Sequence, residues 1–196
     1  ISLREGEKFL RLKYKITNLS DRSFNFLWAV HPMFEVSPHH KIDLMAEEAI
    51  VGDFPQGMLK PHETFNWPYA TDKEGRKIDL RNIRSPSLHT EDIIYVKGLK
   101  EGWFTLTDTR TSEGFGMVFP TNVFKCIALW LNYGGWLNYY VVGIEPRTGY
   151  PERLDEAVEK GEFSTLQGHS HLECEIRAFA YSNAREAEAL IQELKF

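Results

Sequence analysis

Leu10-Arg11-Leu12-Lys13-Tyr14-Lys15-Ile16-Thr17 alternates apolar and polar side chains without a break. That two-residue period marks a strand with one face in a core and the other in water. It returns near the C-terminus, where Leu172, Cys174, Ile176 and Ala178 alternate with Glu173, Glu175, Arg177 and Phe179. Between these two runs, shorter apolar stretches predict strands at 24–30, 93–96, 103–107, 116–119, 126–131 and 139–144. The turn residues Asn18-Leu19-Ser20-Asp21 predict a hairpin joining the first run to the second. From 37 to 84 the runs are broken by Pro38, Gly52, Pro55, Gly57, Pro61, Pro68 and Gly75, which predicts short strands and long loops. A helical period occurs twice. Glu152 to Lys160 predicts a short helix ended by Gly161. Asn183, with Glu186 three residues on, caps a second helix whose apolar stripe is Ala184, Ala187, Leu190, Ile191 and Leu194. Many strands, two short helices and no internal repeat give an all-β, antiparallel β-sandwich with a short C-terminal helix.

The chain has 196 residues, the size of one large domain, and its 42% apolar and 13% aromatic content suffices for a packed core. Net charge is -5, with Lys and Arg scattered along the sequence, which argues against nucleic acid or an anionic membrane as partner. No stretch approaches the roughly 18 consecutive apolar residues of a membrane span. The two cysteines, Cys126 and Cys174, lie in separate strand-like runs and predict buried free thiols, as expected of a cytoplasmic protein. Residue 1 is Ile and stands almost directly against a strand, so the expectation is a single domain over 1–196 that forms the C-terminal portion of a longer one.

Two residues carry candidate chemistry. His31 lies in Trp28-Ala29-Val30-His31-Pro32-Met33-Phe34, and Glu145 in Gly143-Ile144-Glu145-Pro146-Arg147. Each ends an apolar run just before a proline, where a side chain is lifted from a sheet toward a cleft. An imidazole titrates near neutrality, and a carboxylate in an aromatic cleft is tuned upward, so the two suit general acid and base work. A histidine bonded to a loop and a carboxylate capping a turn or paired with Arg147 are the plainer alternatives. Alternation places Tyr139, Val141 and Glu145 on one sheet face. Trp130, Tyr133, Trp136, Tyr139 and Tyr140 crowd around Gly134-Gly135, and aromatic faces of this kind stack on sugar rings. Core packing explains Trp130 and Tyr140 equally well; Trp136, beside two glycines, is the better ligand candidate, and Trp28 and Trp67 are weaker ones. Arg147 suits an anionic sugar substituent or the neutralisation of Glu145. His39, His40, His62 and His89 show no metal-ligand spacing, and no phosphate-cradling loop or nucleophile elbow is present.

The order and wording of these segments resemble the aldose 1-epimerase, or galactose mutarotase-like, superfamily. His31 and Phe34 match its His-x-x-Phe signature, Glu145 matches the glutamate that ends a later strand, and 151–154 and 166–170 resemble its loop and final strand. The resemblance runs from the first strand to Tyr181. It implies a mutarotase-like supersandwich in which His31 is the acid and Glu145 the base that interconvert α and β anomers of a small-molecule sugar, with no cofactor and no metal. It also implies that Asp92, at the start of a strand, binds sugar hydroxyls; a strand-capping surface Asp is the alternative. His31 and Glu145 are then expected in one cleft about a sugar ring apart, with Trp136 or Tyr139 nearby. The family carries an N-terminal half that supplies an Arg and a further His to the site, and nothing here matches it. The expectation is therefore unpaired sheet edges that an upstream segment or a second chain completes. The competing reading is a non-catalytic carbohydrate-binding or accessory β-sandwich.

Overall fold

The computed structural model describes residues 1–54 and 56–196; Pro55 lies outside the described residues. Strands and helices are numbered in chain order. One antiparallel sheet has the spatial order β1 (Phe9–Thr17), β15 (His171–Tyr181), β11 (Gly114–Val118), β10 (Trp103–Asp108), β4 (His40–Leu44). The other has the order β3 (Met33–Glu35), β13 (Tyr140–Arg147), β12 (Cys126–Tyr133), β9 (Thr90–Lys97), β5 (Glu48–Val51), β6 (Thr64–Asn66). Two small ribbons complete the set, β2 (Phe24–Phe26) with β14 (Ser164–Leu166) and β7 (Tyr69–Thr71) with β8 (Lys77–Asp79).

The period-two pattern explains the layering. Phe104, Leu106, Met117, Ile176 and Ala178 from the five-stranded sheet meet Ile94, Val96, Leu129, Leu131, Val142 and Ile144 from the six-stranded sheet in one buried core. The intervening residues of each strand face outward. The outer face of the five-stranded sheet is covered in part by α2 (Ala184–Leu194), whose Ala187, Leu190, Ile191 and Leu194 pack on Val118, Phe179 and Tyr181. Asn183 caps this helix as its sequence predicts, its side-chain oxygen accepting the Glu186 N–H at 3.0 Å. The space for the Phe179 ring comes from Gly116, where a Cβ would stand 2.4 Å from the ring tip. The predicted helix before Gly161 forms as α1 (Leu154–Lys160), and Gly161 ends it with φ 72°.

The hairpin predicted between the first two runs does not form. β1 pairs instead with β15, Leu12 opposite Ile176, and the second run shortens to β2, which pairs with β14. Asn18 is the reason. Its buried side-chain amide donates to the carbonyls of Arg22, Leu166 and Gln167 at 2.7, 3.2 and 3.0 Å, tying the turn to the end of β14. β1 is thus the edge of its sheet, with Ser2 exchanging two backbone hydrogen bonds with Arg11 on its outer side. Both cysteines are free. Cys126 is buried, which pushes its thiol up to about 12, and half-buried Cys174 is pushed up to about 11. Among the described residues no helix is long and apolar enough to cross a membrane.

Candidate active site on the six-stranded sheet

With α2 on the other sheet, the outer face of the six-stranded sheet is left to carry Glu145. In register, Glu145 on β13 faces Ala128 on β12, Ala128 faces Tyr95 on β9, and Tyr95 faces Ile50 on β5. Two small residues make room for the carboxylate, Ala128 across the ladder and Gly143 along the strand; a Cβ at Gly143 would lie 3.0 Å from Glu145 Oε1. Pro146 is tolerated in the strand because its nitrogen points the same way as its carbonyl. That carbonyl accepts from Val30 at 3.1 Å, on the side away from β12, so the β12 ladder loses no bond.

The same hydrogen bonds bring His31 in. Val30 donates to Pro146, and Ile144 donates to Pro32 at 3.4 Å, so the chain is tied to β13 on both sides of His31. The His31 Nε2 atom lies 3.0 Å from Glu145 Oε1. A gap of one sugar ring was expected, and the structure places the two groups in direct contact. Their surroundings differ: the His31 side chain is 52% exposed and that of Glu145 only 4%. Burial raises the pKa of Glu145 above its ordinary value, opposed by the charges of His31 and Arg147 and reinforced by Glu152.

Arg147 is also on this face. Its Nη1 is 3.5 Å from Glu145 and 3.3 Å from Glu152, and its guanidinium carbon stands 5.7 Å over the Tyr95 ring. The other oxygen of Glu152 accepts the Tyr95 hydroxyl proton. One buried guanidinium therefore serves two carboxylates, the arrangement expected of a neutralising role for Arg147.

The aromatic group divides by strand alternation. Tyr133 and Tyr140 turn into the core, the Tyr140 hydroxyl donating to the Arg84 carbonyl at 2.7 Å. Trp130 lies outward, opposite Gly143, and donates from Nε1 to Glu91 at 2.8 Å. Trp136 follows at 5.7 Å between ring centroids, and Tyr139 at 5.6 Å beyond it. Both are half exposed, and Asn132 clamps the Trp136 backbone with two hydrogen bonds of 3.1 Å. Trp136 and Tyr139 connect through Trp130 to the outer face beside Gly143, although Tyr139 precedes β13 instead of lying in it.

Asp92 is not brought to this face. Alternation along β9 places it on the core side, opposite Leu131, at 1% exposure, where its carboxylate accepts the Met58 and Leu59 N–H groups at 2.9 and 3.1 Å. Burial raises its pKa despite those two bonds. Sequence reasoning missed Tyr95, Glu91 and Glu152. Tyr95 and Glu91 share the β9 period with Ile93, a signal that was available once that strand was assigned its outer face; Glu152 had none. Among the described residues no group of three or more His, Cys, Asp or Glu side chains is placed to hold a metal ion.

A cavity of about 480 Å³ adjoins the site, lined by Tyr95, Tyr150, Glu152 and His62 among others. A larger cleft of about 570 Å³ opens elsewhere, between α2 and the five-stranded sheet, over Thr105, Thr107, Tyr181 and Ile191. Neither His31 nor Glu145 lines either cavity; the smaller one lies next to the pair through Tyr95 and Glu152.

No protein-family model matches the sequence, and no curated protein does. Solved structures do. A candidate aldose 1-epimerase from Klebsiella pneumoniae superposes over 96% of this chain and 47% of its own, with 15% identity and a TM-score of 0.70. A galactose mutarotase related enzyme from Lactobacillus acidophilus covers 90% of this chain and 59% of its own, with 15% identity and a TM-score of 0.60. The fold is galactose mutarotase-like. Identity this low shows the mutarotase-like fold and no more, and the chain spans about half the length of these two structures. A TPR-domain containing protein from Parabacteroides distasonis shares the fold as well, over 92% of this chain and 29% of its own, with 11% identity and a TM-score of 0.66. The mutarotase-like architecture therefore does not by itself fix a function.

Proposed function

We propose that the protein, or the longer one of which it is part, interconverts α and β anomers of an aldose by acid–base ring opening. The observation that carries this reading is a buried carboxylate, Glu145, with its pKa raised and the half-exposed His31 imidazole 3.0 Å from one of its oxygens. Glu145 takes the proton of the anomeric hydroxyl while His31 gives one to the ring oxygen. The C1–O5 bond breaks to the free aldehyde. Rotation about C1–C2 turns the other face of the carbonyl to O5, and ring closure returns both protons. A sugar entering the site replaces the His31–Glu145 contact with one bond to each group, and the exposed His31 is the one that moves. Trp130, Trp136 and Tyr139 supply a stacking surface for the sugar. Because Arg147 is shared by two carboxylates, it neutralises the site and is not assigned to an anionic substituent of the sugar. The chemistry calls for no cofactor, and cytoplasmic location fits the two free thiols.

The test is anomer exchange of α-glucose and α-galactose followed by NMR, against the buffer rate at equal pH. Glu145→Gln and His31→Asn should each suppress the acceleration by at least about 100-fold, the size of a general acid or base contribution. Sugar binding should persist in both. The half-exposed Trp136 and Tyr139 favour a second reading, a carbohydrate-binding module. That reading is upheld if the wild-type protein binds sugar without accelerating exchange.

A further inference from the structure

Two carboxylates of the site share one arginine. Glu145 and Glu152 converge on the single Nη1 of Arg147, at 3.5 and 3.3 Å. Glu152 lies outside the strand and is half exposed, yet its second oxygen is held by the hydroxyl of Tyr95, a residue 2% exposed and stacked on Tyr150 at 5.3 Å. The guanidinium rests over the same Tyr95 ring, and its buried Nε–H has no hydrogen-bond partner. The arginine is thus placed between two carboxylates instead of being committed to one. A committed arrangement, with both terminal nitrogens forked onto Glu145, would be the stronger ion pair.

We propose that Glu152, held by Tyr95, is a positioning residue: by sharing Arg147 it keeps Glu145 from being locked into a full ion pair and so leaves it able to take up and return a proton. The inference rests on the reading of Glu145 as the base of the anomer exchange. Each turnover needs Glu145 in both protonation states, and a carboxylate fully paired with arginine is a weak base. The groups facing Glu145 are few. His31 comes from the stretch before β3, Arg147 from β13, Glu152 from the loop after it, and Tyr95 from β9. On the far side of Arg147 the Cys126 thiol is protonated, and Lys97 is engaged with Glu48 and the Tyr150 ring. Glu162, on the same side, accepts the Tyr150 hydroxyl at 3.4 Å, and among the described residues Glu145 and Glu152 are the carboxylates recorded against Arg147.

The experiment reads Glu145 directly. Side-chain ¹³C NMR of protein labelled at glutamate, with Glu145→Gln for assignment, follows the Glu145 titration in the wild type, Glu152→Gln, Glu152→Asp and Tyr95→Phe. Glu152→Gln should lower the Glu145 midpoint by about one pH unit, the effect expected when an opposite charge a few ångströms away is no longer shared. The acid limb of kcat against pH should move by the same amount, with kcat at pH 7 falling about 3-fold, as a Brønsted slope of about one half gives, and KM unchanged. Tyr95→Phe should shift the midpoint the same way by less, since Glu152 is then free to swing into solvent, and Glu152→Asp should restore part of it. A structural role alone would alter the melting temperature and leave the midpoint in place. An unmoved midpoint in Glu152→Gln overturns the proposal, whether or not the melting temperature changes. A moved midpoint in a protein that does not accelerate anomer exchange upholds the electrostatic coupling and overturns the epimerase reading instead.

Discussion

Replacing Asp92 with alanine separates a ligand contact from a structural one. In the native protein the Asp92 carboxylate accepts the N–H groups of Met58 and Leu59 at 2.9 and 3.1 Å, on the core side of β9. Alanine leaves both donors in a buried site with no partner. Each costs about 1–3 kcal/mol, so the pair costs about 2–6 kcal/mol. Part of this is offset. The raised pKa of Asp92 shows that burial outweighs its two bonds, so holding it ionised at neutral pH is itself unfavourable, and removing it recovers some stability. The balance is a loss of about 3 kcal/mol. For a chain of 196 residues the unfolding entropy is about 0.4 kcal/mol/K, so the melting temperature should fall by roughly 7 °C. Differential scanning calorimetry at pH 7 measures it. Below the melting transition, sugar binding per folded molecule should be that of the wild type, because Asp92 lies on the opposite face of the sheet from Glu145. The placement is refuted if Asp92→Ala melts within about 2 °C of the wild type and loses sugar binding, since that pattern requires a carboxylate aimed at the ligand.

Two further outcomes follow from the same geometry. Glu145 has its pKa raised on folding, so the folded protein holds its proton more tightly than the unfolded chain, and stability is lost as pH rises from the ordinary carboxylate value through the folded one. Glu145→Gln should therefore melt higher than the wild type at pH 8 and lose that advantage below about pH 4; an advantage that grows toward acid reverses the sign of the argument. Trp136→Ala removes a half-exposed ring whose contacts are the neighbouring Trp130 and Tyr139 rings and leaves the backbone bonds to Asn132 in place, so melting should change by less than about 1 °C while sugar affinity, by titration calorimetry, falls about 5- to 10-fold. Unchanged affinity would take the Trp130–Trp136–Tyr139 surface out of the site.

Much of the fold was legible because burial writes itself into strand sequence with period two. The alternation in Leu10–Ile16 and Leu172–Ala178 marked β1 and β15, the two longest strands of their sheet, and the Asn183 cap and its stripe marked α2. What alternation does not contain is the partner of each strand. The nearest turn suggested β1 with β2, and a buried Asn18 amide, reaching carbonyls nearly 150 residues away, decided otherwise. The same division runs through the site. His31 and Glu145 stood out as polar groups ending apolar runs before a proline, and Trp136 and Tyr139 as aromatics beside glycine. Their side chains carry the chemistry, and side-chain type is written in the sequence. Distance is not. That His31 touches Glu145, that Asp92 turns into the core while Glu91 and Tyr95 turn out, and that Arg147 is divided between Glu145 and Glu152 all depend on register across strands far apart in the chain. A shift of one residue in that register would send each of these groups to the other face, so only the tertiary structure could assign them.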